Sequence, residues 1–514
     1  MDHAKPLARE EGLDHTLALL KEGYRFGQNR ADAFQSDAFE TRLLGEKALV
    51  LRGEEAARFF YDSGKLVRSG AMPKRVQKTL TGEQGVQGLD GAEHRHRKAM
   101  FMSLMHRGAL REMRDIVARE WMLAAGRWEG RDDIELYEEA KLLLARAACA
   151  WAGVPLESED APRLAESLGA MYEAPASLGL AYVKGRRSRR QGEKRFAALI
   201  EDVREGRLEV PEGTALRTIA LHRDLQGGLL PAKIAAVELL NILRPIVAVA
   251  VYVAFTAHAV IHHPEEASRL ARNDGDPLGR ADGLGGADGP DRGDGSGRAD
   301  GPDRGDGSGR ADGPVRGDGS RHADGPDRGD GSGRADAPVR GDGSRHADGP
   351  VRIDEDHGER GAEWRTGKRE ELLQRFVQEV RRFYPFFPVA AARAGEPAEW
   401  AGFRLEAGHL VLLDLYATNR HPALWSDPES FQPERFADWQ GSPFKFVPQG
   451  GGGHDAGHRC AGEWITLEIM KESLDFLASR LSYELPEQDL SFSLSEIPSL
   501  PHSRIRLRNL RLRR

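Results

Sequence analysis

The sequence predicts a mainly α-helical protein with a small β subdomain, interrupted by a disordered repeat insert. Apolar residues recur with helical periodicity through most of residues 93–262. The same periodicity returns near the C-terminus, over 370–386 and 461–481. Two short apolar runs, KALVLRG at 47–53 and HLVLLDLY at 409–416, predict strands. A chain of 514 residues is long enough to build one large core from these elements.

Three of the predicted helices have features that fix their position. The run at 235–261 is apolar almost throughout, which predicts one long buried helix. The helix at 370–386 is amphipathic and is stopped by Pro385, because proline cannot continue the hydrogen-bonding pattern. The helix at 461–481 carries its apolar face at positions 470, 474, 477 and 481.

Residues 273–358 form a low-complexity insert built almost wholly from Gly, Asp, Arg, Ala, Pro and Ser. The segment GPDRGDGSGRAD at 289–300 recurs identically at 301–312. Such a segment has almost no apolar surface to bury, so we expect it to be disordered. Calcium binding by its Asp-Gly repeats is the alternative to a duplicated linker, but the even mixture of Arg with Asp disfavours it. The parts on either side, 1–272 and 359–514, are predicted to form one globular domain.

Composition and charge exclude several classes of protein. A net charge of −7 gives no support to general nucleic-acid binding. Cys149 and Cys460 are far apart, which argues against a disulfide framework and for a reducing compartment. Residues 1–20 lack the apolar core of a signal peptide. The longest apolar stretch, 246–261, is shorter than the roughly 20 residues of a membrane span. We therefore expect a cytoplasmic protein without stable membrane insertion.

An arginine and a proline stand side by side in the long apolar helix. Pro245 removes one helical hydrogen bond, at a cost of about 3 kcal/mol. Arg244 would bring an unpaired buried guanidinium, which is also unfavourable. Two such residues indicate either a function or an internal ion pair between Arg244 and a glutamate.

Cys460 lies in PQGGGGHDAGHRCAGEW, residues 448–464, just before the last predicted helix. Backbone N–H groups and the helix dipole at this position favour a thiolate. The thiolate could be a nucleophile with His454 or His458 as its base, or it could be a metal ligand. A haem ligand needs a loop that approaches closely, which consecutive glycines supply. Cys149, within LLARAACAWAG, is most simply a buried helix residue.

The order of three motifs resembles the cytochrome P450 superfamily. Glu379 and Arg382 lie three residues apart on one helix face, FQPERF follows at 431–436, and the cysteine loop comes next. The resemblance implies the P450 fold for all of the chain except the insert. It also implies a haem b cofactor, iron protoporphyrin IX, with Cys460 as the axial ligand of the iron. Glu379, Arg382 and Arg435 would form a structural charge network beneath the haem.

Two departures from the general pattern are similar to the fatty-acid peroxygenase branch of that superfamily. Arg244 and Pro245 stand where ordinary members have an acid–threonine pair, and the cysteine loop is longer than usual. The segment 72–101 is similar to that branch too. Because a guanidinium binds a carboxylate bidentately, Arg244 would hold a fatty acid with carbons 2 and 3 near the iron. The bound carboxylate would assist cleavage of hydrogen peroxide, and Pro245 would open the helix locally.

The resemblance assigns four further positions. Gln87 matches a distal-pocket position where glutamine is associated with hydroxylation and histidine with decarboxylation; an ordinary loop glutamine is the alternative. Thr81 stands where relatives have a phenylalanine near the substrate chain, which leaves substrate fit open. His94 and Lys98 are candidates for binding the haem propionates, with a solvated basic helix face as the alternative.

These residues together imply a haem-thiolate peroxygenase. It would use hydrogen peroxide, without a reductase, to hydroxylate long-chain fatty acids at C2 or C3, with decarboxylation to terminal alkenes as a side activity. One alternative is a P450 that rearranges fatty-acid hydroperoxides, although Arg244 favours a free carboxylate near the iron. The other is a non-enzymatic haem-binding sensor or peroxide sink.

Overall fold

The computed structural model describes residues 8–61, 64–271 and 363–513. The insert, whose disorder the sequence predicts, lies outside the described residues. The described residues before and after it belong to one compact unit.

Helices account for most of the described chain, as the sequence predicts. They are α1 (Thr16–Glu22), α2 (Phe26–Phe34), α3 (Glu54–Phe60), α4 (Lys74–Val76), α5 (Gly91–Ser103), α6 (Arg107–Trp128), α7 (Leu136–Ala152), α8 (Ala161–Glu173), α9 (Leu180–Arg204), α10 (Ala215–Ala220), α11 (Ala232–His262), α12 (Pro264–Ala271), α13 (Glu363–Phe383), α14 (Leu415–Thr418) and α15 (Glu463–Asp475).

The strands form a small component, which confirms the predicted fold class. They are β1 (Ala8–Arg9), β2 (Ala38–Leu43), β3 (Glu46–Leu51), β4 (Leu66–Val67), β5 (Asp133–Glu135), β6 (Val389–Ala394), β7 (Ala398–Trp400), β8 (Phe403–Leu405), β9 (Leu410–Asp414), β10 (Leu481–Glu484) and β11 (Arg506–Leu512). One sheet has the order β1-β2-β3-β9-β6-β4, a second has the order β10-β11-β5, and β7 pairs with β8.

The predicted strand at 409–416 ends two residues early. The Asp414 carboxylate accepts a hydrogen bond of 2.7 Å from the Ala417 backbone N–H, which caps α14. A side-chain cap at this position satisfies a helix N–H that would otherwise lack a partner. Leu415 and Tyr416 therefore begin a helical turn, and the prediction of strand for these two residues was wrong.

The long helix α11 is the core of the domain. It packs on α7, α9 and α15, and its side chains are buried almost throughout. In the described residues α11 alone is long and apolar enough to cross a membrane, but 89% of its most apolar window is buried inside the protein. The helix runs through Pro245 without a break. The expected local opening is thus confined to the one hydrogen bond that proline cannot donate.

The two helices that flank the insert in the sequence contact each other. Arg369 of α13 donates a hydrogen bond to the Leu270 carbonyl of α12 and forms an ion pair with Asp475. These contacts join α13 to α12 and to α15.

Deletion of the insert is therefore expected to leave folding intact. Joining Asn273 to Glu359 shortens a connection whose closure costs only about 0.6 kcal/mol per doubling of length. Haem content and thermal melting of the shortened protein should match those of the full chain. Loss of haem content together with a lower melting temperature would show that the insert contributes to the domain.

Candidate active site

Cys460 is held at the start of α15 by the loop that precedes it. Its backbone N–H donates to the Gln449 carbonyl at 3.1 Å, and the Gln449 side-chain amide donates to Cys460 Sγ at 3.8 Å. Gln449 Oε1 in turn accepts a hydrogen bond of 2.9 Å from Arg381. The amide is thereby oriented with its N–H groups toward the sulfur.

The thiol does not ionise easily in this position. Burial raises the pKa of Cys460, although the Lys98 charge and the Gly462 N–H act in the opposite direction. The helix terminus alone therefore does not produce the thiolate that the sequence predicts. A bound metal ion would supply the missing positive charge, because a coordinating thiol is deprotonated outright.

The consecutive glycines allow the cysteine loop to pack tightly on Tyr61. Gly450 and Gly452 have φ values of +92° and +81°, which disfavour other residues. A Cβ on Gly451 would lie 2.5 Å from the Pro443 carbonyl oxygen and 3.1 Å from the Tyr61 ring. The glycines are thus also required for the packing of the loop against Tyr61 and Pro443, which the sequence pattern did not indicate.

Neither loop histidine is positioned as a base for Cys460. His458 stacks on His94 with ring centroids 3.8 Å apart, and His454 stacks on Trp464 at 4.0 Å. Burial lowers the pKa of His458 to about 2 and that of His454 to about 4. Among residues 8–61, 64–271 and 363–513, no hydrogen bond joins either ring to Cys460. The nucleophile alternative therefore lacks its base.

The three residues of the predicted charge network are together. Glu379 pairs with Arg382 at 2.7 Å and with Arg435 at 3.2 Å, and all three side chains are buried. Arg382 also donates to the carbonyls of Asn419, Pro428 and Ser430 at 2.9 to 3.2 Å. This network ties α13 to the segment that leads into the cysteine loop.

Arg244 is a buried cation without a partner. Its side chain is 5% exposed, and it makes no hydrogen bond or ion pair within the described part of the chain. Burial lowers the pKa of its guanidinium to about 9, and the neighbouring Arg189 charge acts in the same direction. The group therefore stays charged at neutral pH. The alternative of an internal Arg244–glutamate pair does not hold, because Glu238 on the same helix pairs with Arg97 at 2.8 Å.

A chain of hydrogen bonds orients Gln87 against Asn241, which lies one helical turn before Arg244 on α11. Glu238 Oε1 accepts from Arg97 and from the Val86 N–H, and burial raises the pKa of this carboxyl. Glu238 Oε2 accepts from the Asn241 side-chain amide at 3.0 Å, and the same amide donates to Gln87 Oε1 at 3.2 Å. Because its oxygen is engaged, Gln87 leaves its N–H₂ group free to donate. Asn241 Oδ1 is buried and has no hydrogen-bond partner among the described residues, so it is free to accept.

His94 and Lys98 lie in a buried basic cluster rather than on a solvated helix face. The two residues are 4% and 3% exposed. Lys98 donates to the Arg459 carbonyl, next to Cys460. Arg68, which sequence reasoning missed, is also buried and lies over the Phe60 ring. Burial, followed by the Lys98 charge, lowers the pKa of His94 to about 4.

These residues fit a haem. No group of three or more His, Cys, Asp or Glu side chains that could hold a metal is present in the described ranges. One cysteine thiolate is enough to hold haem iron, because the macrocycle supplies other ligands. The buried cations Lys98 and Arg68 are suited to pairing with the carboxylates of such a group.

The chain is similar to known proteins along its whole length. The family model described as Cytochrome P450 matches residues 353–501. The solved structure of cytochrome P450EX alpha (CYP152N1) with myristic acid is 38% identical, covers 99% of this chain and 100% of its own, and has a TM-score of 0.78. A variant of cytochrome P450 OleT in complex with arachidonic acid is 29% identical, with 99% of both chains covered and a TM-score of 0.78.

Similarity to curated relatives is confined to part of the chain. Cytochrome P450 71A8 of Mentha piperita is 30% identical over 139 residues, which are 26% of this chain. The matched stretch spans about a quarter of that relative, at 27% of its length. The full-length likeness therefore comes from the solved structures.

Proposed function

The chain belongs to the cytochrome P450 family, on its fatty-acid peroxygenase branch, and we propose that it hydroxylates long-chain fatty acids with hydrogen peroxide. Hydroxylation is proposed at C2 or C3, with decarboxylation to terminal alkenes as a side activity and without a reductase. The observation that carries this proposal is Arg244, a buried and charged guanidinium with no partner in the described chain. The myristic and arachidonic acids in the similar structures are carboxylates of the class that this cation would bind.

Cys460 would ligate the iron of haem b, and Lys98, Arg68 and His94 would bind the propionates. Haem iron with a thiolate ligand supplies the cleavage of the peroxide O–O bond and the transfer of oxygen, since the thiolate donates electron density. Gln449 would moderate this donation, because its N–H is directed at the sulfur.

Arg244 would hold the fatty-acid carboxylate through two parallel N–H···O bonds. An anion bound there compensates a buried charge that the free protein leaves unpaired. The carboxylate would then accept a proton from hydrogen peroxide and return it to the departing oxygen. In this way the carboxylate would take over the role of the acid–threonine pair. Gln87 as donor and Asn241 as acceptor would hold the peroxide or a water molecule beside it.

The alternatives are disfavoured for two reasons. A charged Cys460 sulfur would raise the pKa of Arg244, which indicates that the two side chains are close enough to interact. A carboxylate on Arg244 would therefore lie near the iron. Rearrangement of a fatty-acid hydroperoxide would instead need the carbons that carry the hydroperoxide group near the iron. A sensor or peroxide sink would not need a dedicated site for an organic anion.

The function is tested by incubating the purified protein with hydrogen peroxide and a series of saturated fatty acids, without a reductase. Gas chromatography with mass spectrometry should detect 2- or 3-hydroxy acids, with terminal alkenes as minor products. Peroxide consumption without any modified fatty acid would show that the protein is a peroxide sink and does not hydroxylate fatty acids.

Substrate affinity should fall at high pH. The pKa of Arg244 is about 9 in the free protein, and a bound carboxylate raises it. The affinity is therefore fully present below pH 9 and is lost as the pH rises through and above that value, by about tenfold per unit at first. Titration of the haem spectrum with myristate between pH 7 and 10 would measure this. An affinity that stays constant over the range would show that the guanidinium does not bind the carboxylate.

A further inference from the structure

One part of the surface combines exposed aliphatic side chains with a cluster of positive charge. We define the entrance surface as residues 72–78, which include α4, together with residues 176–190, which contain the start of α9. Arg75 joins the two segments, because it donates to the Pro175 carbonyl at 3.2 Å and to the Ser177 carbonyl. The Arg75 guanidinium also lies 4.1 Å from the Tyr182 ring centroid.

The charge of the entrance surface is opposite to that of the whole chain. Residues 72–78 contain three Lys or Arg, and residues 176–190 contain five, with no Asp or Glu in either segment. The chain as a whole has a net charge of −7. Lys184, Arg186, Arg187 and Arg190 are exposed. Among the described residues Lys184 forms an ion pair with Glu166 of α8, and the three arginines form none.

The aliphatic residues protrude beside these charges. Leu178, Leu180 and Val183 are 72%, 88% and 58% exposed, at the connection from α8 to α9. They form a tip rather than a groove. Protruding side chains of this kind do not form a pocket for a folded partner. They can insert among lipid chains while the basic residues contact the headgroups.

We propose that the entrance surface docks the protein reversibly on an anionic lipid bilayer. Each Lys or Arg near an anionic membrane adds a favourable increment, and burial of the aliphatic tip adds the hydrophobic part. This peripheral contact is compatible with the absence of stable insertion, since α11 is buried in the core. The purpose of docking rests on the proposed function, because long-chain fatty acids partition into bilayers.

The entrance surface is connected to the proposed substrate site. Arg189, within the same segment, is buried and donates to the carbonyls of Leu80, Thr81 and Val237 at 3.0 to 3.4 Å. Thr81 is the position assigned to the substrate chain, and Val237 belongs to α11. A fatty acid that leaves the bilayer at this surface would therefore enter beside α11, the helix that contains Arg244.

Vesicle binding tests the proposal. The holoprotein is sedimented with vesicles of phosphatidylcholine alone or mixed with phosphatidylglycerol, in the absence of fatty acid. We expect binding to the mixed vesicles only. The variant Lys184→Gln, Arg186→Gln, Arg187→Gln, Arg190→Gln should bind at least roughly a hundredfold more weakly. Leu178→Ser with Leu180→Ser should weaken binding without changing its salt dependence.

The matched control removes four exposed charges from α6, through Arg107→Gln, Arg111→Gln, Arg119→Gln and Arg127→Gln. It has the same net charge as the first variant and should bind as the unaltered protein does. Equal binding to both vesicle types, or equal weakening by the two variants, would overturn the proposal. Monomeric fatty acid in solution should still be hydroxylated by the first variant. Vesicle binding without any hydroxylation would refute the proposed function and leave the docking surface intact.

Discussion

Replacing Arg244 by alanine should abolish most fatty-acid binding while the haem is retained. Loss of one partner of a buried charged pair typically costs about 2–5 kcal/mol. That corresponds to a roughly thirtyfold to several-thousandfold loss of affinity, at about 1.4 kcal/mol per factor of ten. Product formation at fixed peroxide should fall at least as much, because the carboxylate is also the proposed proton carrier. Spectral titration with myristate and product analysis would measure the two effects.

Two further substitutions separate substrate binding from a structural role. Arg244→Lys should restore little, since an ammonium lacks the planar fork of the guanidinium. Arg244→Met keeps much of the side-chain volume and removes an unpaired buried charge. We therefore expect its free energy of unfolding to equal or exceed that of the unaltered protein. Destabilisation by about 3–5 kcal/mol would instead indicate an internal ion pair that Arg244→Met breaks.

Replacing Cys460 by serine should remove the thiolate ligand and with it the red-shifted absorption band of the reduced carbon-monoxide complex. Peroxide-driven hydroxylation should be lost as well, since serine does not donate electron density as a thiolate does. Cys149→Ser is the matched control and should keep both properties. Cys149 is 1% exposed in α7, and burial raises the pKa of its thiol to about 12. A red-shifted band in the Cys460→Ser protein would disprove the ligand assignment.

Motifs with fixed spacing predicted contacts within the candidate site where these contacts are local or where the family resemblance supplies them. Glu379 and Arg382 lie one helical turn apart, so their pairing is visible in the sequence. The contact to Arg435, 56 residues later, was predicted only through the resemblance. The burial of Cys149 in a helix followed from its apolar surroundings.

Long-range contacts between unremarkable residues could not be predicted. Glu238 meets Arg97 across 141 residues and Val86 across 152, and neither pairing has a local pattern. The bond from Arg381 to Glu463 is of the same kind, since it depends on how α13 packs against α15. These contacts orient Gln87 and Gln449. The sequence indicated Gln87 as a candidate without the residues that hold it, and it did not indicate Gln449.

Tertiary packing also overrides the local effect that single residues would have on a helix. Pro245 was expected to open its helix, yet α11 is continuous because α7, α9 and α15 enclose it on several sides. The Arg244 guanidinium has no partner among the described residues, and the helix does not need one there, because its apolar neighbours hold it in place. The structure thus tolerates both residues within a core that is already stable.

The proposed function depends on one step, the insertion of oxygen from hydrogen peroxide into a fatty acid held by Arg244. It is tested most directly by turnover with isotopically labelled hydrogen peroxide in unlabelled water, without a reductase. Mass spectrometry should find the label in the hydroxyl group of a 2- or 3-hydroxy acid, and Arg244→Ala should lose that product. Unlabelled hydroxyl groups, or labelled product that Arg244→Ala forms at an undiminished rate, would contradict the account.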